Sequence, residues 1–114
     1  MSNIENNDVF AYRDMGIQRV SFKGFENNII QMDIGVWNYG AIVSVLIRQK
    51  YSESEVEAIV SNSLMLMQNP SSVSEEESNE KMNEFNEFQE YREKCKARAK
   101  ELLSIGDKMG LKEM

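Results

Sequence analysis

The chain has no histidine, and that absence limits its chemistry before any pattern is sought. Histidine is the commonest general base, the pivot of hydrolytic triads and a usual zinc ligand. Three sets of residues remain that could do chemistry. The first is Cys95 in the run KCKARAK, where Lys94, Lys96, Arg98 and Lys100 could lower the thiol pKa. Cys95 also falls on the apolar stripe of its own segment, and a cysteine so placed behaves as a small core residue. The second set is acidic: Glu75, Glu76, Glu77, Glu80, Glu84, Glu87 and Glu90. Paired carboxylates working as acid and base need a cleft. Along one helix, these residues and the basic run after them sort instead by the helix dipole. Glu80–Glu84, Glu87–Tyr91 and Glu90–Lys94 then become i,i+4 neighbours. The third set is the six glycines, Gly16, Gly24, Gly35, Gly40, Gly106 and Gly110, which are scattered and form no phosphate-cradling loop. The sequence therefore predicts no catalytic residue, no cofactor, no metal site and no enzymatic activity.

The most informative surplus is apolar. Leu64, Met65, Leu66 and Met67 are consecutive, so on a helix they cover its whole circumference. One core uses one side. Methionine adapts to varied surfaces and is common at interaction sites. These four residues are the predicted partner or oligomer contact, unless the last helix covers their other side.

The elements that must carry these residues can be read from local signals. Asn38 caps a first helix of about 38–50, with Tyr39, Ile42, Val43, Leu46 and Ile47 on one stripe. Ser52 and Glu55 form a capping box that opens a second helix, 52–68. Its expected buried face is Val56, Ile59, Val60, Leu64 and Met67, and Asn69-Pro70 ends it. Ser74 and Glu77 open a long third helix, 75–104, with Met82, Phe85, Phe88, Tyr91, Cys95, Ala99, Leu102 and Leu103 as its narrow stripe; Gly106 is its expected terminator. Upstream, Ile17–Phe25 and Ile29–Trp37 alternate around the turn signal Glu26-Asn27-Asn28 and predict an antiparallel hairpin over 17–37. Residues 1–15 read as a flexible arm and 106–114 as a frayed tail. The expected fold is α+β: one domain over 16–105, an N-terminal antiparallel β-hairpin, a helix pair and a long C-terminal helix.

Composition narrows the partners. With 114 residues the chain supports one modest core. A net charge of −6 argues against nucleic acid and acidic membrane as partners, and no run of about 18 apolar residues could span a bilayer. The start MSNIENNDVF lacks the basic and apolar regions of a signal peptide, and a single cysteine suits a reducing cytoplasm. The expected partners are the chain itself, as a homo-oligomer, and other protein.

Along residues 37–103, Trp37-Asn38-Tyr39, Val43-Ser44, Leu46-Ile47-Arg48, Lys50-Tyr51-Ser52, Val56-Glu57-Ala58-Ile59 and Asn62 follow one another, then Phe85, Phe88-Gln89, Tyr91-Arg92 and Cys95-Lys96. This order resembles small uncharacterised proteins of tailed bacteriophages and prophages of gut bacteria. Here the Ser/Glu segment from Ser71 to Glu80 is longer than usual. That group has no assigned activity, so the resemblance transfers no functional residue. It implies phage origin, synthesis in the host cytoplasm, and one of two roles. One is a virion or assembly accessory. The other is an acidic inhibitor of a host defence or nucleic-acid enzyme.

Overall fold

The computed structural model describes residues 8–25, 28–69, 71 and 73–114. It is an α+β protein with a three-stranded antiparallel sheet followed by helices. The strands are β1 (Val9–Asp14), β2 (Ile17–Lys23) and β3 (Ile29–Asp33), in the order β1-β2-β3. The helices are α1 (Tyr39–Arg48), α2 (Glu53–Gln68) and α3 (Glu75–Lys108). The chain groups into two compact units, Met1–Leu46 with Cys95–Met114, and Ile47–Lys94.

The hairpin predicted over 17–37 is present as β2 and β3, and a further strand joins it. Val9–Asp14 forms β1, where a flexible arm was expected over residues 1–15; residues 1–7 of that arm lie outside the described residues. The reason is visible in the register. Val9 and Ala11 pair with Phe22 and Val20, and these pair with Ile30 and Met32, so one face of all three strands is apolar or small. Met15 and Gly16 connect β1 to β2 with positive φ values of 50° and 82°. Two positive-φ residues between antiparallel strands make the turn whose twist matches the sheet. In the second connection, Glu26 and Asn27 lie outside the described residues, and Gly24 N–H donates to Asn28 O at 2.7 Å.

β3 stops at Asp33, short of the predicted Trp37. The Asp33 carboxylate accepts from Gly35 N–H at 2.8 Å and turns the chain into a short 3-10 turn, Ile34–Val36. Ile34 and Val36 therefore leave the strand alternation expected over Ile29–Trp37; Val36 is exposed. The turn delivers Trp37 into the interior with no exposed surface. Its ring meets Phe22 of β2 edge-on at 5.7 Å. One residue later Asn38 Oδ1 accepts from Ala41 N–H at 2.9 Å and starts α1, as its sequence position predicts. Ile42, Val43, Leu46 and Ile47 are buried, and Ser44, Arg48 and Gln49 are exposed, so the expected α1 stripe is the observed one.

The C-terminal end differs from expectation. α3 continues through Gly106 to Lys108, and Gly106 is buried in helical conformation instead of ending it. A Cβ at this position would lie 3.2 Å from the Trp37 indole, so the glycine serves close packing. Residues 106–114 are not a frayed tail either. Leu111 is buried, Met114 N–H donates to Trp37 O at 2.8 Å, and the Glu113 carboxylate accepts from Tyr39 N–H at 2.9 Å. Glu113 thus sits at the N-terminus of α1, where unpaired N–H groups and the helix dipole favour an anion.

α3 is tied to the sheet by Arg98. Its guanidinium donates to Asp8 at 3.1 Å and to the Lys23 carbonyl at 2.8 and 3.2 Å, and it also contacts Glu101. Asp8 is buried and the Arg98 side chain nearly so. Removing one partner of such a pair strands a charge in the interior, whereas removing both can be nearly neutral. Arg98→Met should therefore cost about 3 kcal/mol in a urea melt, and adding Asp8→Leu should recover most of it. A double variant no more stable than Arg98→Met would show that the arginine acts by packing alone.

The capping box at α2 is complete. Glu55 N–H donates to Ser52 Oγ at 3.1 Å and Ser52 N–H to Glu55 Oε1 at 3.0 Å. At α3, Glu77 N–H donates to Ser74 Oγ at 3.2 Å. The backbone bond from Ser52, then its side chain, holds the Glu55 pKa below its ordinary 4.5. A lowered pKa gives stability that is present above the ordinary value and lost as pH falls through the folded one. Ser52→Ala should cost about 1 kcal/mol at neutral pH. The stability gap between wild type and Glu55→Gln should close in acid; equal urea midpoints for wild type and Ser52→Ala would place the start of α2 elsewhere.

Candidate protein-contact surface

The α2 helix buries only part of the stripe its hydropathy suggests, Ile59 and in part Val56. Ile59, Ser63 and Leu66 are buried, with Val56 half-buried. Val60, Leu64 and Met67, assigned to the core, are 37, 51 and 74% exposed. The shift works because Ser63 can be buried without loss: its hydroxyl donates to Val60 O at 2.8 Å. The displaced residues are spaced i, i+4, i+7, so they form one exposed stripe, about a quarter turn from the buried one at 100° per residue. Glu53 and Glu57 continue that stripe towards the start of the helix, and both are exposed.

The predicted contact set Leu64, Met65, Leu66 and Met67 therefore divides. Leu66, 7% exposed, belongs to the core. Leu64 and Met67 share the exposed stripe with Val60, and Met65, 54% exposed, points elsewhere on the helix. An open row of flexible apolar side chains beside carboxylates can bind apolar protein surface; it has no chemistry of its own.

The carboxylates gather on the other side of the same unit. Tyr51 stacks edge-on against Phe88 and Tyr91, with ring centroids at 5.2 and 5.7 Å, and Lys50 Nζ lies 5.0 Å from the Tyr91 centroid. Beside this cluster a groove of ≈ 340 Å³ is lined by Tyr51, Glu55, Ala58, Ile59, Glu84 and Glu87. A second, of ≈ 220 Å³, is lined by Asn62, Glu77, Glu80, Lys81 and Glu84. Partial burial, then the charges of Glu87, Glu55 and Glu84, push the Tyr51 hydroxyl above its ordinary pKa of 10.0. Among the described residues, no three acidic or cysteine side chains are grouped to hold a metal ion.

Cys95 is fully buried, in keeping with its place on the α3 stripe. Arg98, a candidate to activate that thiol, is committed to Asp8 and the Lys23 carbonyl. The sheet carries exposed apolar residues as well. Phe10 and Ile29 are 48 and 54% exposed on the outer face of the sheet, and Phe10 lies 6.1 Å from Tyr12. The alternation within Val9–Tyr12 was the available signal.

Charge is divided as sharply as burial. The unit Ile47–Lys94 holds five basic and eleven acidic side chains; the other holds eight of each. The whole net charge of −6 therefore resides in the unit that carries α2. Among the described residues, no helix is long and apolar enough to cross a membrane.

The raised Tyr51 pKa has a signed consequence. A proton held more tightly in the folded state stabilises it below the unfolded pKa, and this is lost as pH rises through the folded value. Tyr51 should ionise above pH 10.0. Glu87→Gln should bring that ionisation down, read as the ultraviolet titration difference between the parent protein and its Tyr51→Phe counterpart. No change on Glu87→Gln would separate the hydroxyl from that carboxylate.

With the geometry of fold and surface in hand, comparison with known proteins finds no family, no curated protein and no solved structure that matches the chain.

Proposed function

We propose that this chain is a non-catalytic, phage-encoded protein that acts through protein–protein contacts as a virion or assembly accessory. The observation that supports the contact is the exposed row Val60, Leu64 and Met67 on α2. Such rows of flexible side chains are costly to leave in water and are typical of surfaces that a partner covers. The phage origin rests on the resemblance carried by residues 37–103.

The second reading is an inhibitor of a host defence or nucleic-acid enzyme. It is favoured by the charge division, since eleven carboxylates against five cations on one small unit present a concentrated negative surface. The two readings differ in salt dependence. Binding through carboxylates weakens steeply as salt shortens the Debye length, and apolar contact does not.

Leu64→Glu with Met67→Glu should leave the urea midpoint within about 0.5 kcal/mol of wild type, because both side chains are exposed. Leu66→Glu should unfold the protein by placing a charge in the core. Mass spectrometry of purified particles tests the role itself. The chain should copurify with particles, and the Leu64→Glu, Met67→Glu variant should be lost from them. Absence of the wild-type chain from particles sinks the accessory reading.

A further inference from the structure

Self-contact could run through the edge of the sheet or through α2, and the structure separates these two surfaces by charge. A two-fold dimer apposes the same patch of each copy. Joined through α2, two copies would bring together units that each hold the full −6. The unit that contains the sheet is neutral, so the same objection does not apply there.

The open edge of the sheet has the chemistry for a second copy. β3 is an edge strand, and its register with β2 runs unbroken from Arg19↔Asp33 to Lys23↔Ile29, without a bulge. Edge strands are guarded by lysine, proline or a bulge. β3, with the sequence IIQMD, has none of these. Its one charge, Asp33, is engaged with Gly35 N–H. Among the described residues, no backbone hydrogen bond from outside the sheet reaches Ile29–Asp33. β1, the other edge, carries Arg13 and Asp14 within its sequence.

The burial pattern then sets the register. Ile30 and Met32 are buried on the inner face, and Ile29, Gln31 and Asp33 are exposed on the outer one. Directly opposed residues of an antiparallel pair point to the same face. A second β3 must therefore align inner residues with inner ones. An axis through Gln31 does this and overlaps all five residues: Ile30 faces Met32 of the second copy, Ile29 faces Asp33, and Gln31 faces itself.

We propose that β3 pairs with β3 of a second copy of this chain in an antiparallel two-fold dimer centred on Gln31, making one six-stranded sheet. This rests on the reading that the chain acts through protein contacts, and it assigns the self-contact to the sheet edge, leaving α2 for another partner.

The test is a charge swap on the full chain. Sedimentation velocity at about 100 μM should show the wild type as a dimer of 13.2 kDa chains, and its dissociation on dilution gives the affinity. Gln31→Lys and Gln31→Glu, each alone, should weaken the dimer about fivefold, since like charges then stand directly opposite. Gln31 is exposed, so at dilutions where wild type and variants are all monomeric both variants should keep the wild-type urea midpoint. Native mass spectrometry of the two variants mixed should show the Lys/Glu heterodimer beyond its binomial share. The same swap at exposed Ser44 of α1 controls for net charge and should stay near binomial. A monomeric wild type overturns the proposal. So does an open ladder of larger species, which would mean β1 adding to β3. A heterodimer excess no greater than the Ser44 control overturns it as well. The Leu64→Glu, Met67→Glu variant should remain dimeric. Loss of its dimer would overturn the edge assignment while leaving protein contact through α2 intact.

Discussion

The sheet-bearing unit depends on burying Trp37. Trp37 joins three separate parts of the chain. Its ring packs edge-on against Phe22, its carbonyl accepts from Met114 N–H, and its indole would crowd any Cβ at position 106. Burying an indole contributes a few kcal/mol, enough to be a large share of the net stability of a small unit. Local geometry is arranged to deliver it. Asp33 ends β3 by capping Gly35, three residues of 3-10 helix reverse the chain, and Asn38 starts α1 immediately afterwards. The indole Nε1 is buried without a hydrogen-bond partner among the described residues, at a cost of about 1–3 kcal/mol. That cost is carried because moving the ring would disturb the sheet, the end of α3 and the tail together.

This dependence explains what could and could not be read from the sequence. Caps were legible because they act within three residues: Asn38, Ser52 and Ser74 each bond to the backbone where their spacing says. The α1 stripe was legible because its polar and apolar residues separate cleanly. Gly106 misled because glycine has two uses near a helix end, termination and close approach, and only the position of Trp37 decides between them. β1 was hidden because only Val9 of its inner face is buried, too little apolar character to stand out among polar neighbours. Arg98 was the hardest to read. Its partners, Asp8 and Lys23, are 90 and 75 residues away, and a basic residue in a basic run looks like any solvated helix face.

The contact surface was half legible for a related reason. Four consecutive apolar residues on a helix announce an excess but not which of them is in excess. Hydropathy placed Val60, Leu64 and Met67 inside together with Ile59, because they outweigh Ser63 and Leu66 as its companions. The fold chose the stripe containing a serine whose hydroxyl its own helix satisfies. Burial therefore followed the possible packing more than the richer hydrophobicity. What that choice leaves outside is an exposed apolar stripe, Val60, Leu64 and Met67, which is the property a binding face needs.

Charge and apolar surface are divided between the units in a way that has mechanical sense. The neutral unit contains a strand edge suited to pairing with its own kind, and the acidic unit contains the exposed helix stripe suited to something else. On the proposed pairing, each assembly carries two α2 stripes and twice the negative charge. Two weak contacts made from one assembly reinforce each other through effective concentration, provided the partner presents matching sites within reach. A repetitive partner, such as a symmetric particle, supplies such sites by construction, whereas a single monomeric enzyme does not. Dimerisation would therefore favour an accessory that decorates a repeating structure. A monomer whose binding collapses with salt would favour the acidic inhibitor.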